Sequence, residues 1–503
     1  RKRYYKTPEG VVASLEEAEV LLELGRLEEG SSALRRTASH ITSPGQFSNP
    51  YVSDKQLRER VETGFQTLYE NQRYDLAVNV ATALAPLVGR VTAAELQADT
   101  LHRWGNHLHQ VAQDKTAEEA QALRKQGRKK YRLAGYAYAE LAHRRYTSAD
   151  YPTALWQSGR NFNLGRDYES AVVALNSYVS TEARTERPLV LIALTNSYLS
   201  LNQVDEAIAT IETCLDEFPR DPAVFRARLL ASTAYIEAGN INRAKELLEE
   251  NLQQESLTPR SDVWRDTLFA LGSVLHHQGR AVMLQQSATL PSSLGDADRQ
   301  LQQLDRGHEL LHAAIRRLAE AVARYPQAEQ IIKARYQLGE SYRYGSQMPL
   351  YKFRQETIES RRTALNRQIN EELTAAIKQY DALIQIVNEK SHVRGTLTNE
   401  EEKILRNIYF ARGTALYDLG DYEEAIKAYS TATSRYQHEP AAIEAYVQIA
   451  ACYRRLNKPL ESRGTLEQAK LVIDRISNDS NFISTTRFDR EEWLTLLDWL
   501  SSI

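Results

Sequence analysis

Sulfur is scarce in this chain, with only two cysteines and two methionines in 503 residues. Cys214 and Cys452 lie far apart, each inside a helical pattern, which excludes a disulfide framework and a thiolate zinc site and leaves two small, buried apolar side chains. An excess of one charge is missing as well. The 63 Lys and Arg against 66 Asp and Glu give a net charge of -3, so no global field recruits nucleic acid or an anionic surface. Long apolar runs are absent: the stretch Leu189 to Leu194 falls far short of the roughly 20 residues of a membrane span. No GxGxxG or GxxxxGK[ST] string offers a phosphate-binding loop, nothing marks a strained nucleophile turn, and no strand-type alternation of useful length occurs. With 42% hydrophobic and 26% charged residues, what remains is a folded, all-helical chain.

Its organisation lies in periodicity. Gly413, Leu416, Tyr417, Gly420, Tyr422, Ala425, Tyr429 and Ala432, followed by Pro440, place small residues where facing helices cross and tyrosines in the gaps around them. Two amphipathic helices meeting at a glycine turn are expected there. Small residues that open a second-helix stripe recur at Ala171, Ala207 and Ala244, with spacings of 207 − 171 = 36 and 244 − 207 = 37. Gly413 and Ala450 are separated by 450 − 413 = 37. This alternation of small and large residues resembles the tetratricopeptide repeat, whose period is close to these values. The resemblance implies an all-α, right-handed solenoid of helical hairpins.

In that frame residues 1–150 form a degenerate helical region, 151–260 three repeat units, 261–404 two repeat-like units with insertions, 405–475 two further units, and 476–503 a C-terminal capping helix. The insertions read as a loop at 281–305, around Pro291-Ser292-Ser293, and a long helix within 345–390. Turn chemistry makes Ser43 to Pro50 a loop after the first hairpin.

The family resemblance implies a concave groove lined by the first helix of each pair. The candidate contacts are Gln157, Arg160, Asn163, Asn196, Ser200, Arg226 and Glu237, then Tyr336, Glu340, Arg343 and Tyr417. Amides such as Asn196 can bond both backbone groups of an extended peptide, and Arg160 can pair with a carboxylate. The expected role is a noncatalytic scaffold that binds a partner protein or peptide, with no catalytic residue, cofactor or nucleic acid.

One string points elsewhere. His308-Glu309-Leu310-Leu311-His312 is an HExxH sequence on an expected helix, where two histidines four apart share a face and a glutamate stands between them. A metal-dependent hydrolase is therefore the first alternative, with Glu329 or Glu340 as a third ligand. Arg306 two places ahead, and Ile315 and Leu318 in place of an extended motif's glycine and histidine, count against it. No metal site is expected, and His276, His277, His308 and His312 are the candidates should one exist. A self-assembling structural component is the second alternative. The basic run Arg124 to Arg132 follows Glu118 and Glu119 and reads as a solvated helix with internal pairing. Arg324-Tyr325-Pro326 and Arg435-Tyr436 resemble repeat endings of bacterial envelope scaffolds. Together with a basic start at Arg1 rather than a methionine, they lead us to expect an upstream signal or anchor and a membrane-associated or periplasmic location.

Overall fold

A computed structural model describes every residue except 1–6, 40–47, 288–293, 395–396, 478–481, 484–485, 487 and 503. The basic start, Ser43 to Phe47 of the first expected loop, and Pro291 to Ser293 therefore lie outside the described residues. All regular structure among the described residues is helical, with no strand. Among the described residues no helix is long and apolar enough to cross a membrane. The chain forms two compact units, Arg1–Asn240 and Ile241–Ile503.

The first unit contains α1 (Pro8–Glu23), α2 (Leu27–Ser39), α3 (Asp54–Glu70), α4 (Tyr74–Ala83), α5 (Ala85–Val88), α6 (Arg90–Val111), α7 (Ala117–Arg144), α8 (Tyr151–Leu164), α9 (Tyr168–Val179), α10 (Arg187–Ser200), α11 (Val204–Glu217) and α12 (Val224–Glu237). Helices α1, α3, α8, α10 and α12 end through one residue in the left-handed region, Gly25, Gln72, Arg166, Asn202 and Gly239 respectively, with φ between 57° and 79°. At Arg166 the cap has the paired bonds of a Schellman turn, Arg166 N–H to Asn163 O and Asp167 N–H to Phe162 O. The same pair recurs at Asn202, 202 − 166 = 36 residues later, and at Gly239, 239 − 202 = 37 later. The turn thus repeats with the period of the apolar pattern. Asp167 then caps α9 by accepting from Ser170 N–H, while Ser53 with Gln56 and Thr116 with Glu119 close capping boxes on α3 and α7.

Packing follows a glycine-to-large rule. A Cβ on Gly105 of α6 would meet the Tyr131 ring of α7 at 2.6 Å, and one on Gly159 of α8 would strike Leu175 of α9. Only a missing side chain lets these helices cross so closely. Part of the basic run is used in the same packing. Lys130 Nζ sits 3.2 Å from the centroid of Trp104, Tyr131 OH donates to Asn106 at 2.7 Å, and Arg132 donates to Gly165 O at 2.8 Å.

The second unit contains α13 (Ile241–Gln253), α14 (Asp262–Ser287), α15 (Leu294–Arg324), α16 (Ile331–Gly345), α17 (Gln347–Gln355), α18 (Glu359–Arg394), α19 (Asn399–Leu419), α20 (Tyr422–Arg435), α21 (Ala441–Arg455), α22 (Pro459–Arg475) and α23 (Arg490–Ser502). Gly413 of α19 faces the Tyr429 ring of α20, 429 − 413 = 16 residues on, the same interval as Gly159 to Leu175. Gly272 of α14 meets Leu318 of α15 over 318 − 272 = 46 residues, and Gly339 of α16 meets Tyr380 of α18 over 380 − 339 = 41. The contact is the one the short repeats make, with about 30 and 25 residues inserted between its halves.

The first insertion, 281–305, is helix where a loop was expected, and the second, expected as one long helix within 345–390, is the short α17 followed by the long α18. Most of 281–305 belongs to α14 and α15, which extend past the repeat as an antiparallel pair. Gly272 faces Leu318, and seven residues along, Gly279 faces Leu311 seven residues back, so the two helices keep one register. Gln285, Asp298, Arg299, Gln302 and Gln303 are exposed on this pair. At the C-terminus, Trp493 and Leu497 of α23 are buried in a core shared with Leu466, Ala469 and Ile473 of α22.

Candidate functional site

The first-helix row of the first unit is built by α8, α10 and α12, with α10 packed on both neighbours. Arg160, Asn196, Ser200, Arg226 and Glu237 are exposed on that row, and Gln157 is half-buried. Neither Arg160 nor Arg226 has a carboxylate partner among the described residues. Asn163 differs. Its Nδ2 donates to Ala193 O at 3.0 Å and its Oδ1 accepts from Ser197 Oγ at 2.9 Å, so it ties α8 to α10 rather than facing outward.

The candidates in the second unit behave differently as well. Glu340 is 4% exposed and forms a bidentate pair with Arg343, at 3.0 and 2.9 Å. Tyr380 OH of α18 donates to the same carboxylate at 2.7 Å. Burial pushes the Glu340 carboxyl up, but the Arg343 charge and the hydrogen bonds from Arg343 and Tyr380 more than reverse it, leaving it below the usual carboxylate range. Expected to line a groove, Glu340 and Arg343 instead form an internal clamp between α16 and α18. Tyr336 is half-buried beside them, and burial pushes its phenol well above the ordinary tyrosine range. Tyr417 is half-buried against Tyr422, with ring centroids 5.3 Å apart, and accepts from Arg455 Nε at 3.3 Å.

The four candidate histidines separate into two places. His276 is 3% exposed with Nδ1 3.0 Å from Ser341 Oγ, and His277 Nε2 lies 3.2 Å from Gln337 Nε2, so both meet the middle of α16. His308 and His312 meet edge to face with ring centroids 4.2 Å apart, at the C-terminal end of α16. His308 Nδ1 donates to Gly345 O at 3.0 Å, and His312 Nε2 lies 3.2 Å from Glu372 Oε1. Glu309 is exposed. Of the third ligands considered, Glu340 is committed to Arg343, and the carboxylate that does meet these histidines is Glu372 of α18. Sequence reasoning missed it because it stands 60 residues from His312 on an inserted helix. A signal was present: Glu372 interrupts the stripe Ile369, Leu373, Ala376 and Tyr380, all buried, where a charge needs a reason.

His276 gives the second unit an acid sensitivity. Burial first, and the neighbouring His277 second, push its pKa down to about 3, against an ordinary value of 6.5. The groups that act on it are His277, Glu340, Arg280 and Arg343. Because the folded value is depressed, the unfolded chain takes up a proton first as pH falls below 6.5, so stability is full above that pH and declines toward the folded value. Urea melts of the full chain at pH 7 and pH 5 are expected to differ by about 1 to 2 kcal/mol more in the wild type than in His276→Gln. Equal pH dependence in the two proteins would show that His276 is not held neutral.

Residues 407–438, which span the end of α19 and α20, match the Tetratricopeptide repeat family. A comparison with curated proteins finds no match. Among solved structures, a tetratricopeptide repeat protein from Parabacteroides merdae is 10% identical, covering 70% of this chain and 99% of that chain at a TM-score of 0.35. The C-terminal part of a TPR repeat-containing protein from Cytophaga hutchinsonii is 15% identical, covering 64% and 98% at a TM-score of 0.33. The TPR2AB domain of yeast Sti1, solved as a complex with pHSP90, is 13% identical, covering 70% and 97% at 0.23. Residues 407–438 are thus a tetratricopeptide repeat, and in the first unit hairpins recur every 36 to 37 residues through the same turn.

Proposed function

We propose that the protein is a noncatalytic scaffold that holds an extended segment of a partner protein along the α8, α10 and α12 row of its first unit. The observation that carries this reading is the row of exposed polar side chains from three successive first helices, Arg160, Asn196, Ser200, Arg226 and Glu237, whose two arginines lack carboxylate partners among the described residues. An exposed arginine without a partner is ready for a bidentate carboxylate, and an asparagine amide can answer both the N–H and the C=O of a strand-like peptide. Arg160 and Arg226 therefore favour an acidic segment, with Glu237 setting a limit on how far the negative charge extends.

Pull-downs from the source cell extract with the wild type and with Arg160→Ala combined with Asn196→Ala test the reading. Loss of one captured protein by at least tenfold, with far-UV circular dichroism unchanged, is the expected result. The same set of proteins captured by both would place the partner surface elsewhere.

A further inference from the structure

We infer that His308, His312 and Glu372 form a binding site for a single divalent transition-metal ion, zinc in the first instance. One ligand atom from each of the three side chains falls within 4.8 Å of the other two. Tetrahedral zinc, with bonds of about 2.0 to 2.1 Å, places neighbouring ligand atoms roughly 3.3 Å apart. His312 Nε2 and Glu372 Oε1 already stand at 3.2 Å. Two imidazoles and one carboxylate suit zinc and its neighbours in the first transition row, and they do not suit magnesium or calcium, which require oxygen ligands.

Three further observations point to a ligand. Glu372 is 6% exposed, yet its Oε2 is buried without a hydrogen-bond partner, while Oε1 takes Gln368 Nε2 at 3.0 Å as well as His312. An unanswered carboxylate oxygen in the interior costs free energy unless a cation meets it. Next, the His308 Nδ1 bond to Gly345 O fixes the tautomer, leaving Nε2 with a bare lone pair; this is the outer bond that metal-binding histidines make. Finally, the three groups gather around Gly345, where a Cβ would come within 2.8 Å of Glu372 Oε2 and 3.9 Å of His312 Nε2. Glycine at the end of α16 leaves this space open. The His312 side chain is 35% exposed, which gives the ion a way in from solvent.

Such an ion would join α15, which carries the histidines, to the inserted α18, which carries the carboxylate, where both pack on α16. Three protein ligands leave a fourth position for water. The site is independent of the peptide row in the first unit, so each reading stands or fails separately.

Full-length protein stripped with a chelator and dialysed against Zn(II) alone is expected to retain one zinc per chain and to melt at a higher temperature than the stripped form. Co(II) in its place should give the strong visible absorption of a four-coordinate site. Glu372→Gln, which keeps shape and packing, should weaken zinc binding at least tenfold, as should His312→Ala, whereas His277→Ala should bind as the wild type does. Wild-type protein that holds no stoichiometric zinc, or Glu372→Gln that holds it equally well, overturns the proposal. Capture of the partner by the Arg160 row should be unchanged in Glu372→Gln.

Discussion

Glu340→Ala is expected to cost the second unit about 3 to 5 kcal/mol, the loss that follows when one member of a buried ion pair is removed. Arg343 would keep its charge among Tyr380, Tyr344 and Tyr336 without the carboxylate that its two bonds satisfy, and Tyr380 OH would lose its acceptor. Most of that cost lies in the stranded arginine rather than in the lost attraction. Replacing both partners, as Glu340→Leu with Arg343→Met, should therefore restore more than half of the stability lost in Glu340→Ala. Thermal denaturation with hydrogen exchange on the α16 and α18 peptides reads both effects. A double variant less stable than either single variant would show that the pair itself, and not the avoidance of a lone charge, holds α18 to α16. Because the folded carboxyl lies below its ordinary range, this contribution is complete above the unfolded value near 4.5 and is lost as pH falls through the folded one.

The same residues show what the sequence could tell. Gly413 and Tyr429 lie 16 residues apart in an uninterrupted repeat, so spacing alone places the glycine under the ring. Gly339 makes the same contact with Tyr380 across 41 residues, and no local window contains both. The frame put Glu340 and Arg343 on the first helix of a pair and assigned them to an open groove. It had no means of seeing that the inserted α18 carries an acceptor-seeking hydroxyl to that face. Periodicity reports how a helix packs on its sequence neighbour, and an insertion changes the neighbour without changing the period. For the same reason Arg160 and Asn196, in short repeats, are exposed as expected, whereas Glu372 escaped notice although its two histidine neighbours form a legible motif. Asn163 illustrates a smaller gap: a polar residue on a first helix can bond the next first helix instead of a ligand.

Gly413→Ala and Gly464→Ala should move stability in opposite directions, although each adds one methyl group to a helical glycine of the same two-repeat block. At Gly413 the new Cβ would lie 2.6 Å from the Tyr429 ring, which is 1% exposed and held at its hydroxyl by Thr414 Oγ1 at 3.0 Å. With the ring buried and tied at its hydroxyl, the new methyl group has room only if α19 and α20 part, at a cost of about 1 to 3 kcal/mol. At Gly464 nothing lies within 4 Å of the new atom, so the change removes only the backbone freedom that glycine loses in a helix and stabilises by about 1 kcal/mol. Tyr429→Leu should relieve much of the strain of Gly413→Ala and should be destabilising in the wild type, where it leaves the space beside Gly413 unfilled. Hydrogen exchange across 405–475 resolves the three variants within their own repeats. A neutral Gly413→Ala would mean that the helix pair tolerates a wider crossing, and close packing of glycine on ring would then not be what sets the repeat.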